Sequence, residues 1–493
     1  MGNHDGKSQS DADIARAGRF LAQLARVLDE AGLLTDPGLL DRYSSDWARK
    51  NPCRPIAVAR PRTTAEVSAV LALCHAAHQP VVVQGGLTGL AGGATPQRGE
   101  LAISLQRLQG IEDLDAAEGH MTVRAGTTLA VAQDAAVTEA LSCPLDLPSR
   151  GTCTIGGNIA TNAGGNRVIR YGMTRNLVLG LEVVLADGRV LTSLGTFMKD
   201  NAGYDLKHLF IGTEGTLGVV TRAALRLQAE PAECLTALVA LASYSELVAL
   251  LTTLRRRLGP GLSAFEAMWD NFFECSLETN GLSRPFETRH AFYALLEIEL
   301  PHPKVDRPRA EEILFEILEH GGARDAIVAA SLEESARLWE IRESAGAMLG
   351  RLAPAVAHDI SMPVARMESF VEDMRERSEV LRAGRPFCAF GHLGDGNLHL
   401  FTALRSPADV AAMDALVYHA LAGFGSISAE HGVGVDKKKW LGITRTADEI
   451  AVMRGLKAHL DPHGILNRGR IFCGGSDRAN AEHAFGKGSP ETP

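Results

Sequence analysis

The sequence is short of positive charge, of aromatic residues, of closely spaced cysteines and of long apolar runs. Its 493 residues carry 50 Lys and Arg against 59 Asp and Glu, a formal net charge of −9. The broad cationic field that nucleic acid or anionic lipid requires is missing, so no nucleic-acid partner is expected. The eight cysteines stand far apart with no Cys-x-x-Cys, which excludes iron–sulfur and zinc-ribbon frameworks of the usual spacing. They read as reduced thiols of a cytoplasmic protein. The best candidate for a long apolar run, LTALVALASYSELVALL, is interrupted by Glu246. No membrane span is expected. The opening MGNHDGKSQS has no apolar core behind a basic flank, and Gly6 stands where N-myristoylation wants Ser or Thr, so neither export nor lipidation is expected.

Glycine is plentiful: 50 of 493 residues, above the usual share of about 7%. The excess is clustered, which points to backbone approaching something closely. Around these clusters the chain reads as α+β. A lead-in region over 1–50 holds a helix with Ile14, Phe20, Leu21, Leu24, Val27 and Leu28 at helical spacing and Gly32 as its stop. Residues 51–230 alternate strand-like runs with short helical stretches and read as one domain. After the turn-like AEPAE the text gives strand, helix and strand, with Ser243 and Glu246 spaced as a capping box, so a second, antiparallel domain is expected over 231–430. A segment over 431–473 follows, and the polar residues 474–493 read as a frayed tail.

The first glycine cluster follows the strand-like PVVV: Gln84, Gly85, Gly86, Leu87, Thr88 and Gly89, then Gly92 and Gly93. Such a run can turn several N–H groups inward as an anion nest for a pyrophosphate. The second holds Pro148, Ser149, Gly151, Thr152, Ile155, Gly156, Gly157, Asn158, Thr161, Asn162, Gly164 and Gly165. Its side chains are mostly small, so a bulky planar ligand could lie against the backbone. Tight turns are the alternative, made weaker by two such clusters in one domain. Neither matches the dinucleotide fingerprint or the Walker phosphate loop, which removes the best evidence for NAD and ATP. A third segment, GTEGTLGVV, contains Glu214, Gly218 and Val219.

Further along, GHLGDGNLH sets His392 and His399 across a Gly-Asp-Gly turn, and Glu430 with His431 follows. Two histidines and a carboxylate form a common incomplete shell for a divalent metal, leaving positions for substrate and water. Histidines that merely hydrogen-bond near a turn are the competing reading.

The residues also carry a resemblance. PVVVQGGLTGLAGG, SRGTCTIGGNIATNAGGN and GTEGTLGVVT resemble the FAD domain of the vanillyl-alcohol oxidase/p-cresol methylhydroxylase (PCMH) superfamily. GHLGDGNLHL, SAEHGVGVDKKKWL and LDPHGILNRGRIF resemble the D-2-hydroxyacid dehydrogenase branch, which includes D-lactate and D-2-hydroxyglutarate dehydrogenases and the glycolate oxidase D subunit. Six motifs in order, from Tyr43 to Phe472, make the match specific. The resemblance implies a PCMH-type FAD-binding domain, an antiparallel substrate domain and a C-terminal segment that returns to the flavin with Asn467. It implies FAD gripped by the first cluster and lined by the second. Leu87 stands where covalent members have histidine, so the FAD is expected to be noncovalent. It further implies His392, His399 and Glu430 as ligands of a divalent metal, zinc with manganese as the alternative. His431 becomes the general base and Arg342 the clamp for the substrate carboxylate, with His392 and His399 beside the substrate.

Those types suit one reaction. Oxidising a 2-hydroxy acid removes the hydroxyl proton while hydride leaves Cα for flavin N5, and a metal on the hydroxyl narrows the gap between an alcohol of pKa about 16 and an imidazole of about 6.5. The chain departs from the hydroxyglutarate-type pattern at three positions: Gly346 for threonine, Ala357 for lysine and Phe401 for asparagine. Polar grip is lost and an aromatic gained, so a small or apolar monocarboxylic 2-hydroxy acid such as D-lactate is expected, with D-2-hydroxyglutarate as the alternative. The electron acceptor is left open among electron-transfer flavoprotein, quinone, cytochrome and oxygen, and a homodimer is allowed. Lys437, Lys438 and Lys439 read as a solvated face or an acceptor contact. Lys199, Asn201 and Tyr204 resemble a family segment near the cofactor. Two other classes compete: a flavin subunit active only inside a glycolate-oxidase-like complex, and a non-catalytic binding module.

Overall fold

The computed structural model describes residues 5–473, so the expected tail over 474–493 lies outside the described residues. The lead-in helix spans Asp5–Val27 and buries Phe20 and Leu24 one turn apart. It stops at Val27; Gly32 instead ends a separate 3-10 turn, Glu30–Gly32.

A four-stranded sheet orders Leu33–Leu34, Val58–Ala59, Leu101–Ser104 and Val81–Gln84, the last three parallel. The helix Thr64–Ala77 makes the crossover that parallel strands need; Thr63 starts it by accepting the Glu66 N–H. An antiparallel five-stranded sheet orders Ile111–Asp115, His120–Arg124, Val219–Arg226, Val178–Val184 and Val190–Ser193. One apolar core serves both sheets, and it includes Ile465 and Leu466 from the far end of the chain. There the main chain pairs with Val81, accepting its N–H at Ile465 and donating from Asn467, so the C-terminal segment returns to the front half.

The rear half is built on one antiparallel sheet of seven strands, ordered Asp325–Val328, Glu233–Leu241, Phe292–Leu300, Leu262–Trp269, Phe387–His392, Asn397–Ala403 and Ala355–Ser361. Both faces are covered. One packs on the helices Tyr244–Leu258, Pro303–Glu319, Val364–Arg377 and Val410–Ala420. The other packs on Asp270–Asn280, Leu332–Glu343 and Ala345–Arg351. At the start of Tyr244–Leu258, Ser243 accepts the Glu246 N–H as expected. The Glu246 carboxylate accepts from Ala242 rather than Ser243, one residue upstream of a reciprocal box.

Several of the clustered glycines have protein, not open space, against them. A Cβ on Gly86 would lie 2.0 Å from the Thr152 carbonyl oxygen, and one on Gly85 2.5 Å from Thr154 Oγ1, so the first two clusters are stacked backbone to backbone. Gly156 meets Ala125 at 2.7 Å, Gly165 the Asp146 carbonyl at 1.8 Å and Gly218 Val183 at 2.6 Å. A Cβ on Gly151 would meet nothing within 4 Å. Gly86→Ala is therefore expected to cost about 1–3 kcal/mol through overpacking, while Gly151→Ala stays within about 0.5 kcal/mol of wild type. Urea unfolding midpoints of the two variants check this, and equal midpoints would contradict it.

Candidate active site

The register of the seven-stranded sheet assembles the site. Alternate residues of a strand share a face, and on Phe387–His392 and Asn397–Ala403 the face away from the larger helical layer carries Phe390, His392, His399 and Phe401. Pairing sets Glu266 opposite His392. It sets His399 between Phe390 and Asp359. The result is a polar row across four central and edge strands that are otherwise apolar.

Within that row His392, His399 and Glu430 bring one donor atom each within 4.8 Å of one another. Histidine nitrogen and carboxylate oxygen at this spacing suit a divalent cation of the zinc or manganese type. Glu266 accepts from His392 Nδ1 at 2.5 Å, which leaves Nε2 turned toward Glu430 Oε1 at 3.4 Å. Burial works against a charge on His392, but the Glu266 carboxylate outweighs it and raises the imidazole to a pKa of about 9. His399 is held well below the ordinary histidine value by burial. Burial also lifts Asp395, in the turn between them, to about 6.

Arg342 is not an exposed helix arginine. It is buried, with Nε donating to Glu266 Oε2 at 2.6 Å and Nη2 lying 3.4 Å from His392 Nε2. Its guanidinium lies 4.7 Å over the Phe390 ring, and Phe401 packs edge-on against Phe390 at 5.0 Å. Glu266 thus fixes the ring that would bind a metal and the cation that would bind a carboxylate.

A second buried carboxylate, Asp359, serves the other side. It accepts from Asn397 Nδ2 at 2.9 Å and from the main-chain N–H groups of Glu430 and His431 at 3.1 and 3.3 Å. His431 Nδ1 lies 3.3 Å and Lys437 Nζ 3.8 Å from its Oδ2. Burial opposes its ionisation, yet His431 and Lys437 outweigh that and hold the carboxyl below the usual range. Lys437 departs from the expected solvated face: its ammonium is turned inward and donates to Ser428 Oγ at 3.0 Å. Lys439 does lie exposed, over Trp440.

The front half meets this row through its glycine clusters. Among the described residues, the main-chain N–H groups of Gly86, Leu87, Thr88, Gly89 and Leu90 have no protein acceptor, as an anion nest requires. The Gly92 N–H is spent on Asp46 Oδ2 at 2.8 Å and does not belong to that nest. Gln84 donates to the carbonyls of Tyr43 and Ala94 and keeps a buried Oε1 without a partner. In the second cluster the amides of Ile155, Gly156 and Gly157 are all taken by protein acceptors, while Ile155 faces the core. This cluster offers a surface rather than an anion site. Asn158 is buried with its amide on Cys153 Sγ, and Thr161 and Asn162 finish the helix Ile155–Thr161. Pro148, Ser149 and Thr152 remain at least partly accessible.

Glu214 joins the clusters. It accepts from Val433 and Gly434 N–H at 2.7 and 2.8 Å, and its carbonyl accepts from Asn467 Nδ2 at 2.5 Å. Gly218 and Val219 lie behind it in the front core. A Cβ on Gly164 would lie 3.7 Å from Glu430 Oε1, so the second cluster borders the donor set directly. Lys199, Asn201 and Tyr204 are exposed on the loop before the helix Lys207–Phe210 and touch none of this row. Glu266 and Asp359 were not singled out from sequence. Their signal was an acid in the middle of an apolar strand, SAFEAMW and AHDIS.

Residues 55–193 match the family model described as "FAD binding domain", and residues 230–471 match "FAD linked oxidases, C-terminal domain". The chain is 40% identical over 460 residues to a D-2-hydroxyglutarate dehydrogenase of Xanthomonas citri pv. viticola, covering 92% of this chain and 96% of that one. It is 39% identical to the mitochondrial D-2-hydroxyglutarate dehydrogenase of Bos taurus over 91% of this chain and 82% of that one. It is 34% identical to a mitochondrial protein of Schizosaccharomyces pombe with a provisional D-lactate dehydrogenase name, over 93% of this chain and 89% of that one. The fold is shared with substrate-bound p-cresol methylhydroxylase, at a TM-score of 0.74, 16% identity and coverage of 93% and 97% of the two chains. Among the described residues no helix is long and apolar enough to cross a membrane. With both family models spanning its two halves and relatives aligned along nearly its whole length, the chain belongs to the FAD-linked D-2-hydroxyacid dehydrogenases, and it is an oxidoreductase enzyme.

Proposed function

We propose that the chain oxidises a D-2-hydroxy acid with a small or apolar side chain, such as D-lactate, to the 2-oxo acid. The observation that carries this is the nearness of Gly164 in the second glycine cluster to the Glu430 carboxylate of the donor set, where a Cβ on Gly164 would lie 3.7 Å from Glu430 Oε1. It supports a cofactor surface and an ion-bearing pocket that share one wall. The free amides of residues 86–90 would hold the pyrophosphate of a noncovalent FAD, and residues 148–165 would line its ring system. FAD supplies the hydride acceptor. His392, His399 and Glu430 would hold a divalent cation, zinc with manganese as the alternative, which polarises the substrate hydroxyl. Arg342, anchored by Glu266, turns its remaining N–H groups to the substrate carboxylate. His431 takes the hydroxyl proton.

Three residues support the substrate side. Phe401 is buried against Phe390, the ring beneath Arg342, and its partner across the strands is Ala357. Neither offers a cation to a distal carboxylate. Gly346 lies one turn beyond Arg342 with nothing within 4 Å of a Cβ. The name of the Xanthomonas citri relative favours a second reading, D-2-hydroxyglutarate. The electron acceptor we assign to the class of electron-transfer flavoprotein, quinone or cytochrome, reached by a cytoplasmic enzyme that is free to form a homodimer. The eight cysteines, all free thiols, support a reducing compartment; the name of the bovine relative places that protein in mitochondria.

Dye-coupled turnover tests the substrate. Purified protein is expected to give a higher kcat/KM with D-lactate and longer monocarboxylic D-2-hydroxy acids than with D-2-hydroxyglutarate. Phe401→Asn should move that ratio toward D-2-hydroxyglutarate by roughly 10-fold, the scale of one pocket contact. A strong preference of the unmodified protein for D-2-hydroxyglutarate would select the second reading. Chelation tests the metal: stripped protein is expected to keep its flavin absorbance and lose turnover, with zinc or manganese restoring it. Full turnover in metal-free protein would reject the ion.

A further inference from the structure

We propose that Asp359 is a positioning residue that fixes the tautomer and aim of His431; the proposal rests on the base role given to His431 above. An ionised carboxylate can only accept hydrogen bonds. Asp359 Oδ1 takes one from Asn397 Nδ2, and Oδ2 takes those of the Glu430 and His431 main-chain amides. His431 Nδ1 stands 3.3 Å from the same Oδ2. A proton on Nδ1 is then the favoured tautomer of the neutral ring, because the other would set a nitrogen lone pair against the buried carboxylate. Nε2 is left as the acceptor, and it points toward the donor set, 4.0 Å from Glu430 Oε2. Lys437, tied to Ser428, brings its ammonium 3.8 Å from the same Oδ2. The Asp359 side chain is buried, at 6% exposure. Two paired strands and the Glu430–His431 loop therefore converge on one acceptor, whose nearer imidazole is His431, with His399 Nδ1 at 3.9 Å from Oδ1.

The test is a double-mutant cycle on flavin-loaded, metal-loaded protein, reading the rate of anaerobic flavin reduction by D-lactate together with metal and FAD content. Asp359→Asn is expected to slow reduction by about 10²-fold, the upper scale for a residue that orients another. The concentration of half-saturation, FAD content and metal content should stay near wild type. In the His431→Ala background the same substitution should produce no further slowing. An equal slowing in both backgrounds, or loss of metal in step with the rate, would make Asp359 a general support and overturn the proposal. Should Asp359→Asn fail to fold, Asp359→Glu keeps an acceptor but shifts it by a methylene, and the same non-additivity is expected. Ring nitrogen-15 spectra give a readout independent of turnover: wild-type His431 is expected as the Nδ1–H tautomer, and an Nε2–H tautomer would overturn the proposal. A wild-type rate in His431→Ala alone would instead reject the base role beneath it.

Discussion

Two buried carboxylates hold the segment that contains the proposed base, and the candidate site depends on that suspension. Residues 430–436 form no helix or strand of their own. Asp359 from the rear sheet accepts the amides of Glu430 and His431, and Glu214 from the front half accepts those of Val433 and Gly434. The Ala91 carbonyl in the first glycine cluster accepts the next two, Val435 and Asp436. Six main-chain donors that would otherwise need water are satisfied from three separate elements, which is how an irregular, half-buried segment is held in place. Gly432 turns the chain between the two carboxylates at φ 76, where a Cβ would meet the Glu214 carboxylate at 2.8 Å.

Contact between the halves is equally specific elsewhere. Arg167 pairs with Glu297 at 2.8 Å, and Tyr171 donates to Glu299 at 2.7 Å, both reaching from the second glycine cluster's exit to the central strands of the rear sheet. Ile169 between them fills the space over Gly394, where a Cβ would lie 2.6 Å from its Cδ1. The turn that bears His392 is thus seated against the front half by shape. Hydride transfer tolerates little error in distance, and rigid elements on both sides of the junction supply the positioning.

Much of this was legible in the sequence. The strand-like apolar runs, the Ser243 helix start and the spacing of His392, His399, Glu430 and His431 all pointed where the chain goes. Other parts depend on pairing that periodicity does not encode. Glu266 becomes a partner of His392 only through the register of Leu262–Trp269 against Phe387–His392. Lys437 looked like one of three solvated lysines because the acid it faces, Asp359, is distant in sequence. The glycines were read as room for a ligand; at Gly86, Gly156, Gly165 and Gly218 that room is filled by the protein's own chain. Close backbone approach was correctly inferred, but the sequence does not distinguish a ligand from a neighbouring strand as its cause.

In the proposed reaction the glycine-lined surface and the His392–His399–Glu430 pocket face one another closely enough for a substrate Cα to reach the flavin. Anaerobic mixing of the flavin-loaded protein with D-lactate, protiated or deuterated at C2, measures this directly. Bleaching of the oxidised flavin spectrum, slowed severalfold by deuterium, is the expected result. A flavin that stays oxidised with D-lactate and with every other 2-hydroxy acid offered would contradict it.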